Sequence, residues 1–103
     1  MTYKTAFAAL ADPMRRTILE QIVKAPRSVG EIAQGLPISQ PAVSQHLKVL
    51  KEADLVQEER VGTRRIYHAN SAALGELRSY VDDMWRATLT SFSDEIDKQK
   101  DAT

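Results

Sequence analysis

The sequence predicts a mainly α-helical fold of the α+β type, with the element order α-α-α-α-β-β-α. Three observations predict it. Apolar residues recur at helical spacing from Tyr3 to Leu50, a β-branched and Arg-rich stretch around Gly62 breaks that period, and a long helical stripe resumes at Leu74. The 103 residues suffice for one compact domain, placed at 1–98, with residues 99–103 as a frayed tail.

The first helix is expected over Tyr3–Ala11, where Tyr3, Phe7 and Leu10 share a stripe. Asp12-Pro13 then opens a second helix: Asp12 caps it, and Pro13 fits the first turn, where its missing N–H is no loss. Met14, Ile18, Ile22 and Val23 form its apolar face, and Ala25-Pro26 ends it. Ser28-Val29-Gly30-Glu31 matches a capping box and starts a short third helix with Ile32, Ala33 and Leu36 inward. Ser39 and Gln40 introduce the fourth, stiffened by Pro41, with Val43, Leu47 and Leu50 as its buried line. Leu55-Val56 and Arg65–Ala69 are expected as strands around the Gly62 turn. The last helix runs from Asn70 or Ser71 to about Ile96 along Leu74, Leu77, Val81, Met84, Leu89, Phe92 and Ile96, with Tyr80 and Trp85 beside the stripe.

Composition excludes several classes of function. The chain has no cysteine, so disulfides, thiolate metal sites and thiol redox chemistry are absent, which fits a cytoplasmic protein. No apolar run reaches the roughly 20 residues of a membrane span, and MTYKTAFAALAD lacks the form of a secretory signal. Ser44 and His46 face different sides of one helix and make no nucleophile–base pair, His46 and His68 are expected to be structural, and no phosphate-binding Gly loop is present. Neither an enzyme nor a bound metal or cofactor is expected. Net charge is zero, yet residues 1–70 hold ten Lys/Arg against seven Asp/Glu, while residues 71–103 hold four against seven. A basic body and an acidic last helix follow.

The third and fourth helices have the form of a helix-turn-helix. The fourth keeps its apolar line inward and turns Gln, Ser and Lys outward, as a helix entering a major groove must. Gln40 and Gln45 suit bidentate contact with adenine, and Ser39 and Ser44 suit a base edge or phosphate. Lys48, and less strongly Lys51, suit phosphate. Arg60, Arg64 and Arg65 around one Gly turn suit phosphate or minor-groove contact. Arg15 and Arg16 suit either phosphate or an ion pair with the wing or Glu20. Solvated helix positions are the plain alternative for all of these. The apolar stripe of the last helix is too large for a soluble monomer to expose, so a two-fold dimer is expected to cover it.

Four stretches, FAALADPMRRTIL, SVGEIAQGLPISQPAVSQHLKVLKEADLV, RVGTRRIYHA and the final helix, together resemble the ArsR-type winged helix-turn-helix repressors over nearly all of residues 5–95. The pattern DP-x-R before an Ile-Leu pair, S-x-x-A-V-S-x-H-L-x-x-L, and an Arg-rich wing with one Gly carry the likeness. It implies a homodimer that binds a palindromic operator in double-stranded DNA and represses its own promoter, with release by an effector. The interface then draws on Phe7 and Leu10 from the first helix and Leu77, Tyr80, Val81, Met84, Trp85, Leu89 and Phe92 from the last. The thiolate pair of metal-sensing members falls here on Ser28 and Gly30, and residues 71–98 hold no histidine. A metal-independent branch is therefore expected, with an unknown small molecule as the effector. Asp54 stands where the family usually has Gly, and Asp tolerates the left-handed backbone such a turn needs. A winged-helix module that binds another protein through the same surface is the alternative, supported by the zero net charge.

Overall fold

The computed structural model describes residues 2–101. The elements are α1 (Tyr3–Leu10), α2 (Pro13–Lys24), β1 (Arg27–Ser28), α3 (Val29–Gln34), α4 (Gln40–Glu52), β2 (Val56–Val61), β3 (Arg64–Ala69) and α5 (Ser71–Asp101). They fall into two compact units, the first ending at Ala73 and the second starting at Leu74.

Helix starts in the first unit follow from side chains that satisfy orphan N–H groups. Asp12 Oδ1 accepts from the N–H of Met14 at 2.8 Å and of Arg15 at 3.1 Å, with Pro13 opening the helix. Ser28 and Glu31 form the reciprocal capping box, Ser28 Oγ accepting from Glu31 N–H at 3.3 Å and Glu31 Oε1 from Ser28 N–H at 3.2 Å. Ser39 Oγ accepts from Ala42 N–H at 3.3 Å. The far end of α4 closes as a Schellman motif. Leu55 N–H reaches Leu50 O and Asp54 N–H reaches Lys51 O, both at 3.0 Å, with Asp54 at φ 62°. Leu50 and Leu55, which flank this turn, are both fully buried.

The core joins Ile18, Leu19 and Ile22 of α2, Ile32 of α3 and Val43, Leu47 and Leu50 of α4, with Leu55 and Val56 below. Each such side chain contributes about 1.5–3 kcal/mol of burial. Two details differ from the expected faces. Val23 is exposed and Leu19 takes its place, because the buried arc of α2 centres between Ile18, Leu19 and Ile22, and Val23 lies about 100° past Ile22. On α1 the buried side is Ala6 and Ala9, whereas Tyr3 and Phe7 are exposed and Leu10 is half-buried. Small side chains let α1 approach α2 and α4, and the larger ones are left outside.

The sheet has three antiparallel strands in the order β1-β3-β2. β1 was not expected: two residues between Pro26 and a capping box carry no alternation, and they are a strand only because β3 pairs with them, Ser28 opposite Ile66. The hairpin strands are also longer than expected. Val61 pairs with Arg64, so the turn shrinks to Gly62-Thr63, with Gly62 at φ 63°. Positive φ at the first of two turn residues is the II′ pattern that matches strand twist. Arg60 and Arg64 thereby sit inside strands rather than in a loop.

In the second unit α5 continues to Asp101 rather than ending near Ile96. Of the tail expected to fray, residues 99–101 extend this helix and residues 102–103 lie outside the described residues. No helix among the described residues is long and apolar enough to cross a membrane.

Candidate nucleic-acid interface

With Val43, Leu47 and Leu50 at 0% exposure, α4 is gripped along one line. Gln40, Ser44, Gln45 and Lys48 are exposed on its other sides and make no side-chain hydrogen bond or ion pair among the described residues. Gln40 lies over α3, its Nε2 3.6 Å from where a Cβ on Gly30 would stand. Ser39 differs from these: its hydroxyl oxygen is occupied as the cap of α4. His46 is half-buried.

The wing arginines are not alike. Arg64 donates from Nη2 to Ser28 Oγ at 3.2 Å and forms an ion pair with Glu31, so the capping box of α3 also moors β3. Arg65 Nε lies 3.4 Å from Glu58 Oε1, and Lys51 Nζ lies 3.0 Å from Glu58 Oε2. Arg60 makes no hydrogen bond or ion pair among the described residues and faces Arg65 directly across the ladder. His68 Nε2 sits 2.6 Å from Glu59 Oε2 on the opposite face of the hairpin. An open groove of about 310 Å³ separates α4 from the hairpin, with Ser44, Gln45 and Lys48 on one wall and Arg65 and Tyr67 on the other.

These bonds set the titration of the carboxylates. The Lys51 ammonium holds Glu58 below its ordinary value, and Arg65 and Arg60 add to that. Glu31 is lowered first by the Ser28 hydroxyl and N–H and then by Arg64. Tyr67 is raised by burial and by the Glu58 charge.

Neither Arg15 nor Arg16 pairs with the wing or with Glu20 among the described residues, and Arg15 Nη1 lies instead 3.7 Å from Asp12 Oδ2. Arg15 Nε donates to Ala9 O and Arg16 Nη1 to Leu10 O, each at 2.7 Å, closing the C-terminal carbonyls of α1. Glu58 is the residue the sequence reading missed. A strand confined to Leu55-Val56 ends before it, whereas β2 runs through it to Val61. Extending the period-2 alternation to Val61 places Glu58 and Arg60 on one face, opposite Tyr67 and Arg65.

Of the dimer candidates, Leu77 is buried at 7% within the single chain. Tyr80, Val81, Met84, Trp85, Leu89 and Phe92 are exposed, Trp85 and Phe92 at 60% and 61%. Among the described residues no cluster of three His, Cys, Asp or Glu is placed to hold a metal ion.

Capped helices leading to an anchored helix with a free polar side, followed by a two-stranded hairpin, define a winged helix-turn-helix DNA-binding transcriptional regulator. The chain belongs to the arsR family of bacterial regulatory proteins, whose family model matches residues 12–58, from the cap of α2 into β2. It is 47% identical to the HTH-type transcriptional regulator Rv2034 of Mycobacterium tuberculosis, over 99% of this chain and 98% of that protein. It is 37% identical to the transcriptional repressor SdpR of Bacillus subtilis, over 66% of this chain and 76% of that one. Among solved structures, the homodimeric winged helix-turn-helix domain of Mb0332 from Mycobacterium bovis superposes with a TM-score of 0.67 at 28% identity, covering 81% of this chain and 77% of that one. These relatives are transcription regulators, not enzymes.

Proposed function

We propose that the protein is a dimeric repressor that binds a palindromic operator and responds to a signal other than a metal ion. The observation that carries this reading is the free polar side of α4, where Gln40, Ser44, Gln45 and Lys48 stand exposed and unbonded above a fully buried anchor line. Gln45 and Gln40 read base edges, Ser44 supports them, and Lys48 with Arg60, the wing arginine that makes no ion pair among the described residues, meets phosphate. Ser39 contributes chiefly by capping this helix. Pairing through the exposed apolar side of α5 supplies two such helices, and half-sites one turn of DNA apart, about 34–36 Å, suit a two-fold pair of them. The homodimeric Mb0332 domain and the repressor SdpR support the assembly and the sign of regulation.

The reading against a metal signal rests on donor chemistry. At the positions where the family resemblance places thiolates stand Ser28, whose hydroxyl bonds Glu31 and Arg64, and Gly30, which has no side chain. The signal that ends repression is then left to a small molecule.

A mobility-shift titration tests the central step. Gln45→Ala is expected to cost about 1–3 kcal/mol on a duplex selected by the wild-type protein and to leave random-sequence binding nearly unchanged. Equal losses on both duplexes would remove Gln45 from base readout.

A further inference from the structure

A carboxylate is an odd occupant for a groove meant to meet phosphate, and Glu58 stands in the groove between α4 and the hairpin. Its side chain is only 20% exposed and bridges the two walls, Lys51 on the helix and Arg65 on β3. Beside it, Arg60 and Arg65 face one another in register, a like-charge pair that is destabilising unless an anion sits between them.

We propose that Glu58 is a specificity-determining residue for DNA binding, because it retains Lys51 and Arg65 that would otherwise grip any phosphate. This rests on the reading of α4 and the hairpin as the DNA surface. Non-specific affinity scales with the number of phosphates that cations neutralise. While Glu58 holds Lys51 and Arg65, two cations count against one anion, and either can meet phosphate only by leaving a half-buried carboxylate short of a partner. A DNA site that satisfies Gln45, Ser44 and Lys48 needs no such exchange. A random duplex, bound through phosphate alone, gains most from having both cations free. The same bridge ties the hairpin to α4, so the base-reading and phosphate-binding parts keep one spacing.

The test compares wild-type protein and Glu58→Gln on two duplexes, one selected by the wild type from random fragments and one scrambled at equal composition, across a salt series. For Glu58→Gln, affinity for the scrambled duplex is expected to rise about tenfold at low salt, and its log–log salt slope to steepen by about 1–2. Affinity for the selected duplex is expected to change less, so the ratio falls. Restoring the wild-type ratio by adding Arg65→Met to Glu58→Gln would support retention of Arg65 as the cause. An unchanged ratio, or equal gains on both duplexes, overturns the role of Glu58 while leaving the DNA surface intact. Wild-type binding that ignores both sequence and salt overturns the DNA surface itself and this inference with it. Should Glu58→Gln lose its cooperative unfolding transition, Glu58→Asp carries the test, since the shorter side chain cannot span both walls. A partial fall in the ratio supports the proposal and an unchanged ratio overturns it.

Discussion

Asp54 is the one non-glycine residue with a positive φ among the described residues. It holds φ 62° at the Schellman turn that ends α4, a conformation that costs a side chain with a Cβ roughly 1–2 kcal/mol. Asp bears that cost better than most residues, and Asn70 Nδ2 donates to its carbonyl at 2.8 Å, holding the turn from the far side of the hairpin. Unfolding in urea should therefore rank Asp54→Gly above Asp54→Ala by about 1 kcal/mol. Equal stabilities would mean that the turn relaxes when the side chain is changed. Cap residues were legible in the sequence, since Asp12, Ser28 and Ser39 each stand immediately before the first residue of an apolar-striped helix. The partners of the wing arginines were not. Glu31 could be placed in its own capping box, but its pairing with Arg64 spans 33 positions, and no local pattern encodes a contact made by folding.

At the scale of elements, helices were readable because an apolar stripe repeats over many residues, as on α4. β1 was not, since its two residues acquire strand geometry only from β3. The hairpin was placed correctly but too short, because its outer half is mostly polar and exposed on both faces, so hydropathy does not alternate along it even though the backbone does. That hairpin and the capped helices carry a pH dependence whose sign follows from Asp12, Glu31 and Glu58. Asp12 is lowered mainly by the Arg15 N–H, Glu31 by Ser28 and Glu58 by Lys51. Each binds its proton less readily folded than unfolded. Their stabilisation is thus complete above the ordinary values of 3.8 for Asp and 4.5 for Glu and is lost as pH falls through the lowered ones. The urea midpoint should hold steady from about pH 7 to 5 and drop below that. Glu31→Gln should flatten the drop; an identical acid profile would show that the capping box contributes nothing to it.

For the whole molecule, zero net charge is reconciled with DNA binding by segregation, a basic first part and an acidic α5, and by carboxylates that occupy part of the basic wing. In the proposed dimer, assembly then governs affinity. In an isologous interface every substitution appears twice, so Val81→Glu with Phe92→Glu places four new charges in the seam of the proposed dimer. Both positions are exposed in the single chain, so folding should persist while sedimentation shifts to the monomer. Binding to a full palindrome should fall far more than binding to one half-site, and a dimer that survives would move the seam elsewhere. Trp85, one of the candidates for that seam, also makes the proposed dimer its own reporter. It is the one tryptophan of the chain and is 60% exposed when the subunit stands alone. Its emission should lie at long wavelength in dilute solution and move to the blue as subunits meet, giving the association constant from a dilution series without any label.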